Sequence, residues 1–493
     1  MIALSLARIA DLVGGTLHDA PDPDALVTGT VEFDSRKVTP GGLFLALPGA
    51  RADGHDHVAA AVAAGAVAVL AARPVGVPAI VVAPTPQQTN AMALEHDTDG
   101  SGAAVLAALA TLARACTDDL VQRHGLTVVG VTGSSGKTST KDLLAAVLAP
   151  LGPVVAPPGS FNNELGHPWT ALRADEHTRY LVLELSARGR GHVAALADVA
   201  PPRIGVVLNV GTAHLGEFGS RQAIADTKGE LVEALPSAHD GGVAVLNADD
   251  FLVAAMAERT KARVVTVGMS SHADIHAADV VLDEHARARF TLRCPAGETQ
   301  VALAVHGEHQ VGNALAAAAV ALECGLTPDA TARALSGARA ASARRMDVRT
   351  RTDGVTVIND SYNANPDSVR AGLKALVSMA RAGDTPRRSW AVLGEMGELG
   401  EESVVEHDGI GRFAVRLDVS KLIVVGTGRQ ARAMHQGAVM EGSWGDESIL
   451  VPDAAAAIDL LDAELAPGDL VLVKASQAVG LWTVADHLLE GTS

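Results

Sequence analysis

Leu126-Thr127-Val128-Val129-Gly130-Val131-Thr132-Gly133-Ser134-Ser135-Gly136-Lys137-Thr138 carries an apolar strand into a glycine-rich loop that ends in Lys-Thr. With a helix opening near Thr138, this is the arrangement that cradles the phosphates of a nucleoside triphosphate. Gly133 and Gly136 let backbone N–H groups turn inward, and the helix start adds the positive end of its dipole. Lys137 is suited to neutralise the outer phosphates, and Thr138 to offer its hydroxyl to Mg2+. The general pattern G-x-x-x-x-G-K-[ST] has glycine where this chain has Val131, so the shorter T-G-x-x-G-K-T stands here. Thr132, Gly133, Ser134, Ser135, Gly136, Lys137 and Thr138 are therefore the candidate ATP contacts.

Around this loop the chain has room for about three domains, at 493 residues. Hydrophobic residues make up 48% and charged ones 19%, a globular balance. A formal net charge of −18 argues against broad binding to nucleic acid or to an anionic membrane surface, so an anionic ligand must meet a local cluster of positive groups. Cys116, Cys294 and Cys324 are far apart and show no metal-ligand spacing, which fits a reducing cytoplasm better than a disulfide framework. The segment Met1 to Arg8 lacks the pattern of a secretion signal. The longest apolar run, Val58 to Ala72, is shorter than the roughly 20 residues that span a bilayer and reads as a buried helix followed by a strand. No membrane insertion is expected.

Strand-like runs at 180–185, 204–209 and 243–247 alternate with helical patterns after the loop, implying a mostly parallel sheet with ligands at the carboxyl ends of its strands. The polar stretch 95–102 marks a first boundary, and the segment from Gln87 to Gly102 has no evident function. A helix over 313–324 and the basic segment Arg339 to Arg351 mark a second boundary. Runs at 355–359, 390–393, 422–425 and 470–473 then repeat the logic. The expected fold is α/β in three domains: 1–100, an N-terminal α/β domain; 101–338, a central phosphate-loop domain with a parallel sheet; and 339–493, a Rossmann-like doubly wound domain. Gly394, Gly397 and Gly400, and the separate Gly426-Thr427-Gly428, make no complete dinucleotide fingerprint and read as strand-to-helix turns.

Glu184 interrupts a run otherwise suited to a buried strand, and a buried carboxylate needs a partner. Mg2+ at the neighbouring phosphate loop is one such partner, and Arg188 is the other. His214 follows the next strand, either as a ligand to a second cation or as a hydrogen-bonding turn residue. Beyond it lies Ala225-Asp226-Thr227-Lys228-Gly229-Glu230, where Lys228 alone would read as a surface lysine at a helix start.

Taken in order, T-G-S-S-G-K-T, Leu183-Glu184-Leu185-Ser186, the stretch Asn209 to Phe218 and Asp226-Thr227-Lys228-Gly229-Glu230 resemble the Mur ligases, ATP-dependent enzymes that add amino acids or peptides to peptidoglycan precursors. The likeness runs over essentially the whole chain. Phe33 to Val38, Pro40 to Gly49 and Asp53 to Asp56 resemble the domain that holds a uridine nucleotide. Asn359 to Ser368 resembles the signature of the dipeptide-adding member, and the Asp-Asn-Pro-Arg sequence usual in the diamino-acid-adding member is missing.

The resemblance implies ligation of D-alanyl-D-alanine to UDP-N-acetylmuramoyl-tripeptide through an acyl phosphate, by a cytoplasmic monomer. It implies Lys137, Glu184, His214, Lys228 and Arg345 as catalytic residues. It implies two Mg2+ ions held by Thr138, Glu184 and His214, and a CO2-derived carbamate on Lys228. Asn313, Arg345 and Asp360 correspond to further ATP contacts, with His309 beside Asn313. Ser35, Arg36, Asp53, Gly54 and His55 correspond to the UDP-substrate site. Tyr362 and Asn363 would face the dipeptide. Either Asn162 or Asn163 matches an asparagine beside ATP. Closure of the third domain would assemble these groups and exclude water.

Overall fold

The structure, a computed structural model, describes residues 1–49, 52–84, 94, 96–212, 215–442 and 446–490. Its three larger sheets follow one another along the chain. The first has the order Thr16–His18, Ala79–Val81, Ala66–Ala71, Gly42–Leu45, Val31–Glu32, and only its first pair is antiparallel. Leu43, Leu45, Leu70 and Ile80 share an apolar cluster with helices Leu6–Val13 and Ser101–His124, and also with Val128, Leu181 and Leu183 of the next sheet. The long helix is thus the common wall of two sheets. The segment from Gln87 to Gly102 lies largely outside the described residues. At its end Asp97 accepts from the Ala103 N–H at 2.9 Å and Asp99 from the Ser101 N–H at 3.0 Å, securing the first turn of this helix.

The central sheet has nine strands, in the order Gly297–His306, Arg287–Cys294, Ile275–Leu282, Arg263–Gly268, Val243–Asn247, Ile204–Val207, Thr127–Thr132, Tyr180–Glu184, Val154–Val155. Seven run parallel, and the central four, Val243–Asn247, Ile204–Val207, Thr127–Thr132 and Tyr180–Glu184, are buried nearly throughout, which explains their continuous apolar sequences. Helices Lys137–Leu148 and Gln310–Glu323 cover one face; His192–Val199 and Arg221–Glu233 cover part of the other. Thr127–Thr132 lies between Tyr180–Glu184 and Ile204–Val207, so the phosphate loop, Glu184 and Asn209 leave the sheet at one edge.

The antiparallel arm Ile275–His306 is additional to the expected parallel sheet. It packs through Ala288, Phe290 and Leu292, which alternate with the more exposed Arg287, Arg289 and Arg293; that period of two was the available signal.

The third sheet has the order Asp347–Thr350, Thr356–Asn359, Leu470–Lys474, Ser389–Leu393, Lys421–Val425, Ser448–Val451, parallel beyond its first pair. Ile358, Leu422 and Leu472 serve one core, while Val357, Trp390 and Ile423 serve another on the opposite face, as a doubly wound sheet requires. Helix Pro366–Arg381 begins with proline and a capping box between Asn365 and Ser368.

Candidate active site

Gly136 adopts φ +84°, open to glycine at little cost, and a Cβ there would lie 2.6 Å from Asn313 Oδ1. This close approach brings Asn313, on the first turn of Gln310–Glu323, against the phosphate loop, where its Nδ2 donates to Gln310 Oε1 at 2.9 Å. No side chain among the described residues caps helix Lys137–Leu148, so its first N–H groups are suited to an anion. Lys137 Nζ donates to the Gly133 carbonyl at 2.6 Å, and burial lowers its pKa against the pull of Glu184.

Three residues of the expected loop set also make hydrogen bonds within the fold. The Thr132 hydroxyl donates to the Leu185 carbonyl at 2.9 Å inside the sheet. The Ser134 N–H donates to the Asn209 carbonyl at 3.1 Å, and the Ser135 N–H to Asn209 Oδ1 at 2.9 Å. Asn209 therefore holds the loop's shape, because the adjacent strand delivers it alongside; sequence reading gave it no role. The Ser134 hydroxyl in turn accepts from the Gly211 N–H at 2.9 Å.

Glu184 is fully buried at the end of its strand. Its Oε2 accepts from the Thr138 hydroxyl and from Asn162 Nδ2, both at 3.2 Å, while Oε1 has no hydrogen-bond partner among the described residues. Burial raises its pKa, opposed by the charges of Lys137 and Lys141. Arg188, the alternative partner, reaches Glu398 and Glu217 instead. A buried carboxylate with one idle oxygen, beside a threonine hydroxyl, is the oxygen donor set a hard cation takes. Of the two asparagines, Asn162 meets Glu184, whereas Asn163 Oδ1 accepts from the Gly166 N–H at 2.9 Å.

Ser160, absent from the expected set, sits 2.7 Å from the Thr138 hydroxyl. Arg345 crosses from the third domain to the same place: its Nη2 lies 3.0 Å from Ser160 Oγ and 3.5 Å from Thr138 Oγ1, and its guanidinium stacks 4.3 Å from the Tyr362 ring centre. Asp360 is buried against Lys474, with Oδ2 2.6 Å from Nζ, and its Oδ1 accepts from the Met346 N–H at 3.2 Å. Lys474 was also missed, since it ends an ordinary apolar strand. Lys474 Nζ donates as well to the Asn363 carbonyl at 2.9 Å. His309 is lowered in pKa by burial, with the Asp360 charge opposing. A cavity of about 180 Å³ adjoins this region, lined among others by Ser139, His306, Gln310, Arg345 and Met346.

Further contacts seat the third domain on the loop. Asn365 Nδ2 donates to the Ser134 carbonyl at 3.3 Å, and the Thr212 N–H to Asp367 Oδ2 at 3.3 Å. Gly216 meets Gly400 so closely that a Cβ on either would lie 2.4 Å from the other's backbone.

Lys228 lies in the middle of helix Arg221–Glu233, neither on the surface nor at a helix start. Burial, and secondarily the charge of Lys137, lowers its pKa well below that of an ordinary lysine. His214 lies outside the described residues.

The five UDP-site candidates follow the neighbouring strands Val31–Glu32 and Gly42–Leu45. Arg36 clasps Asp34 at 2.8 Å, lowering the Asp34 pKa to about 2. Asp53 accepts from His55 Nδ1 at 2.6 Å and from Arg73 at 3.1 Å, and the Gly54 N–H donates to the Leu47 carbonyl at 2.8 Å. A separate cavity of about 600 Å³ between the first and central sheets, lined by Glu32, Trp169 and Arg173 among others, includes none of the five.

Family models match three stretches: the Mur ligase family catalytic domain at residues 29–115, the Mur ligase middle domain at 131–321, and the Mur ligase glutamate ligase domain at 344–477. The chain is 64% identical to the UDP-N-acetylmuramoyl-tripeptide--D-alanyl-D-alanine ligase of Mycobacterium tuberculosis, over 99% of this chain and 98% of that one. It is 33% identical to the Bacillus subtilis enzyme of the same name, over 99% of each. Among solved structures it resembles MurF from Acinetobacter baumannii, with a TM-score of 0.82, 29% identity and 99% of each chain covered. It also resembles the MurF ligase of Thermotoga maritima in complex with ADP, with a TM-score of 0.74, 28% identity and 94% of this chain and 98% of that one covered. Matched from end to end in sequence and in architecture, the chain belongs to the Mur ligase family.

Proposed function

We infer that the chain is an ATP-dependent amide ligase that joins D-alanyl-D-alanine to UDP-N-acetylmuramoyl-tripeptide in peptidoglycan precursor synthesis. The observation that carries this reading, beside the full-length similarity to ligases of that name, is the meeting at Thr138 of Glu184 from the central sheet and Arg345 from the third domain. The tripeptide's terminal carboxylate attacks the γ-phosphorus of ATP and ADP departs, leaving an acyl phosphate. The dipeptide's neutral amine then adds to the acyl carbon, and collapse of the tetrahedral adduct expels inorganic phosphate with loss of the amine's proton.

Two anions must meet in the first step, so the residues around them have to supply positive charge. Lys137 on the loop and Arg345, whose guanidinium reaches Thr138, are proposed to supply it, with the N–H groups that open helix Lys137–Leu148 adding to them. Thr138 and Glu184 would hold Mg2+, and the idle Glu184 Oε1 supports that fit; His214 is the sequence's candidate for a second ion. Bound there, Mg2+ would supply Lewis-acid neutralisation of the phosphoryl oxygens. Lys228 has the character required of a carbamylated lysine, because its neutral amine, the form that reacts with CO2, is favoured by burial.

Asn313 and Asp360 are proposed to meet ATP, and Asn162 to steady Glu184. Tyr362 and Asn363 are proposed to meet the dipeptide, and Ser35, Arg36, Asp53, Gly54 and His55 the UDP moiety. We retain 1–100, 101–338 and 339–493 as the working domains of a cytoplasmic monomer. Its cysteines form no disulfide, and no helix among the described residues is long and apolar enough to cross a membrane.

The test is phosphate release from Mg-ATP and UDP-N-acetylmuramoyl-tripeptide, with D-alanyl-D-alanine or free diamino acids as amine donors, and product mass read in parallel. A product heavier by one dipeptide less water is expected. Release with a diamino acid but not with the dipeptide would keep the ligase chemistry and overturn the substrate assignment.

A further inference from the structure

One turn beyond Thr138, the same helix carries Lys141 and Asp142, which are 2% and 8% exposed. Lys141 Nζ donates to the Asp142 carboxylate, to the Pro157 carbonyl at 2.9 Å and to Ser342 Oγ at 3.1 Å. Asp142 accepts twice from Ser342: from its N–H at 3.0 Å and from its hydroxyl at 3.1 Å. Ser342 stands on the chain that crosses from helix Pro328–Gly337 of the central domain to strand Asp347–Thr350 of the third. A buried ion pair gains little net stability over an apolar pair of similar volume. What it adds here is direction, because all its remaining hydrogen bonds go to two particular segments.

Those two segments matter to one residue. Arg345 follows Ser342 by three positions, and Pro157 precedes by three the Ser160 that Arg345 touches. On either side of Arg345 the backbone is left-handed, with φ +60° at Arg344 and +49° at Met346. Non-glycine residues keep such angles only when their surroundings over-determine them. Ser342 is pinned on one side, and the Met346 N–H is held by Asp360 on the other.

We propose that Lys141, Asp142 and Ser342 form a clamp that aims Arg345 at the phosphate loop, making them positioning residues for phosphoryl transfer. The proposal rests on the reading of Arg345 as a phosphate-contacting group. The clamp holds the third domain's entry strand to the helix that begins with Lys137 and Thr138, so the guanidinium and the phosphate cradle share one frame. Displacing a group that acts on the reacting phosphate by about 1 Å costs up to about 100-fold in rate.

The experiment is a double-mutant cycle on kcat with saturating substrates, combining Ser342→Ala with Arg345→Ala and repeating the cycle with Asp142→Asn in place of Ser342→Ala. Ser342→Ala and Asp142→Asn are each expected to lower kcat about 10- to 100-fold, with ADP affinity unchanged, and Ser342→Thr, which keeps the hydroxyl, to recover most of the loss. In the Arg345→Ala background the same changes are expected to lower kcat no further. Equal losses in both backgrounds would overturn the clamp, as would a fall in melting temperature with kcat intact. Full activity in Arg345→Ala alone would refute the role of Arg345, and with it a clamp that acts through that residue, whereas additive losses would refute the clamp alone.

Discussion

Replacing Glu184 by glutamine preserves its volume and can keep the oxygen that receives Thr138 and Asn162, while removing the charge. In the cation-free protein that charge is fully buried and half-satisfied. Leaving a buried polar group unsatisfied costs about 1–3 kcal/mol, and more for a charged one. Cation-free Glu184→Gln should therefore be at least as stable as the wild type, by a margin of up to about that size. The order reverses with Mg2+. A cation that binds only the folded wild type adds about 2.7 kcal/mol at 100 times its Kd, and Glu184→Gln should gain little of this. In turnover, losing one preorganised electrostatic contact of this kind costs about 3–4 kcal/mol, or roughly 100- to 1,000-fold in kcat. Thermal unfolding with EDTA and with graded Mg2+, alongside phosphate release, measures all three effects. A Glu184→Gln protein that gains as much stability from Mg2+ as the wild type, and turns over at a comparable rate, would refute the metal-ligand argument.

Lys474→Met should destabilise the third domain by about 3–5 kcal/mol in denaturant unfolding, because Asp360 is left buried without its ion partner; adding Asp360→Leu should restore much of the loss. Lys228→Ala should abolish ligation and regain part of it with added short carboxylates, and absence of rescue with normal Mg2+ dependence would count against the carbamate. His407 accepts the Met396 N–H on Nε2 at 2.9 Å and sits against the Ser403 carbonyl through Nδ1, and burial lowers its pKa. Its folded value lies below the unfolded one, so the unfolded chain takes up the proton first as pH falls. The stabilisation is full above about pH 6.5 and declines below it; His407→Gln should flatten that part of the stability-pH curve, and an unchanged slope would refute the assignment.

The parts of the site written as local patterns were legible. Thr127–Thr132, the loop and Lys137 are contiguous, and Glu184 stood out because a carboxylate in an apolar strand needs an explanation. The parts that depend on neighbouring strands were not. Asn209 takes the N–H groups of Ser134 and Ser135 only because its strand pairs beside Thr127–Thr132, a fact of sheet order rather than spacing. Lys474 ends a strand 114 residues from Asp360, and no periodicity announces their meeting. The burial of Lys228 was legible only through the family resemblance: Asp226 and Glu230 surround it with charge in the sequence, while on the helix they point elsewhere, to Arg190 and to the N–H groups of Gly191 and Ala194. In the fold, the parallel strands declared themselves by apolar runs, and the arm at 275–306 was hidden by its solvated face.

The backbone crossing of Gly216 and Gly400 gives the joint between the central and third domains a tolerance set by the absence of two side chains. Salt screens a charged latch, and a long side chain can swing aside, but a methyl group can do neither. A single added carbon at either glycine would act as a wedge in the joint, leaving every proposed ligand contact chemically intact while holding the third domain off its seat. Loading of substrates and their conversion would then come apart at two residues that touch neither.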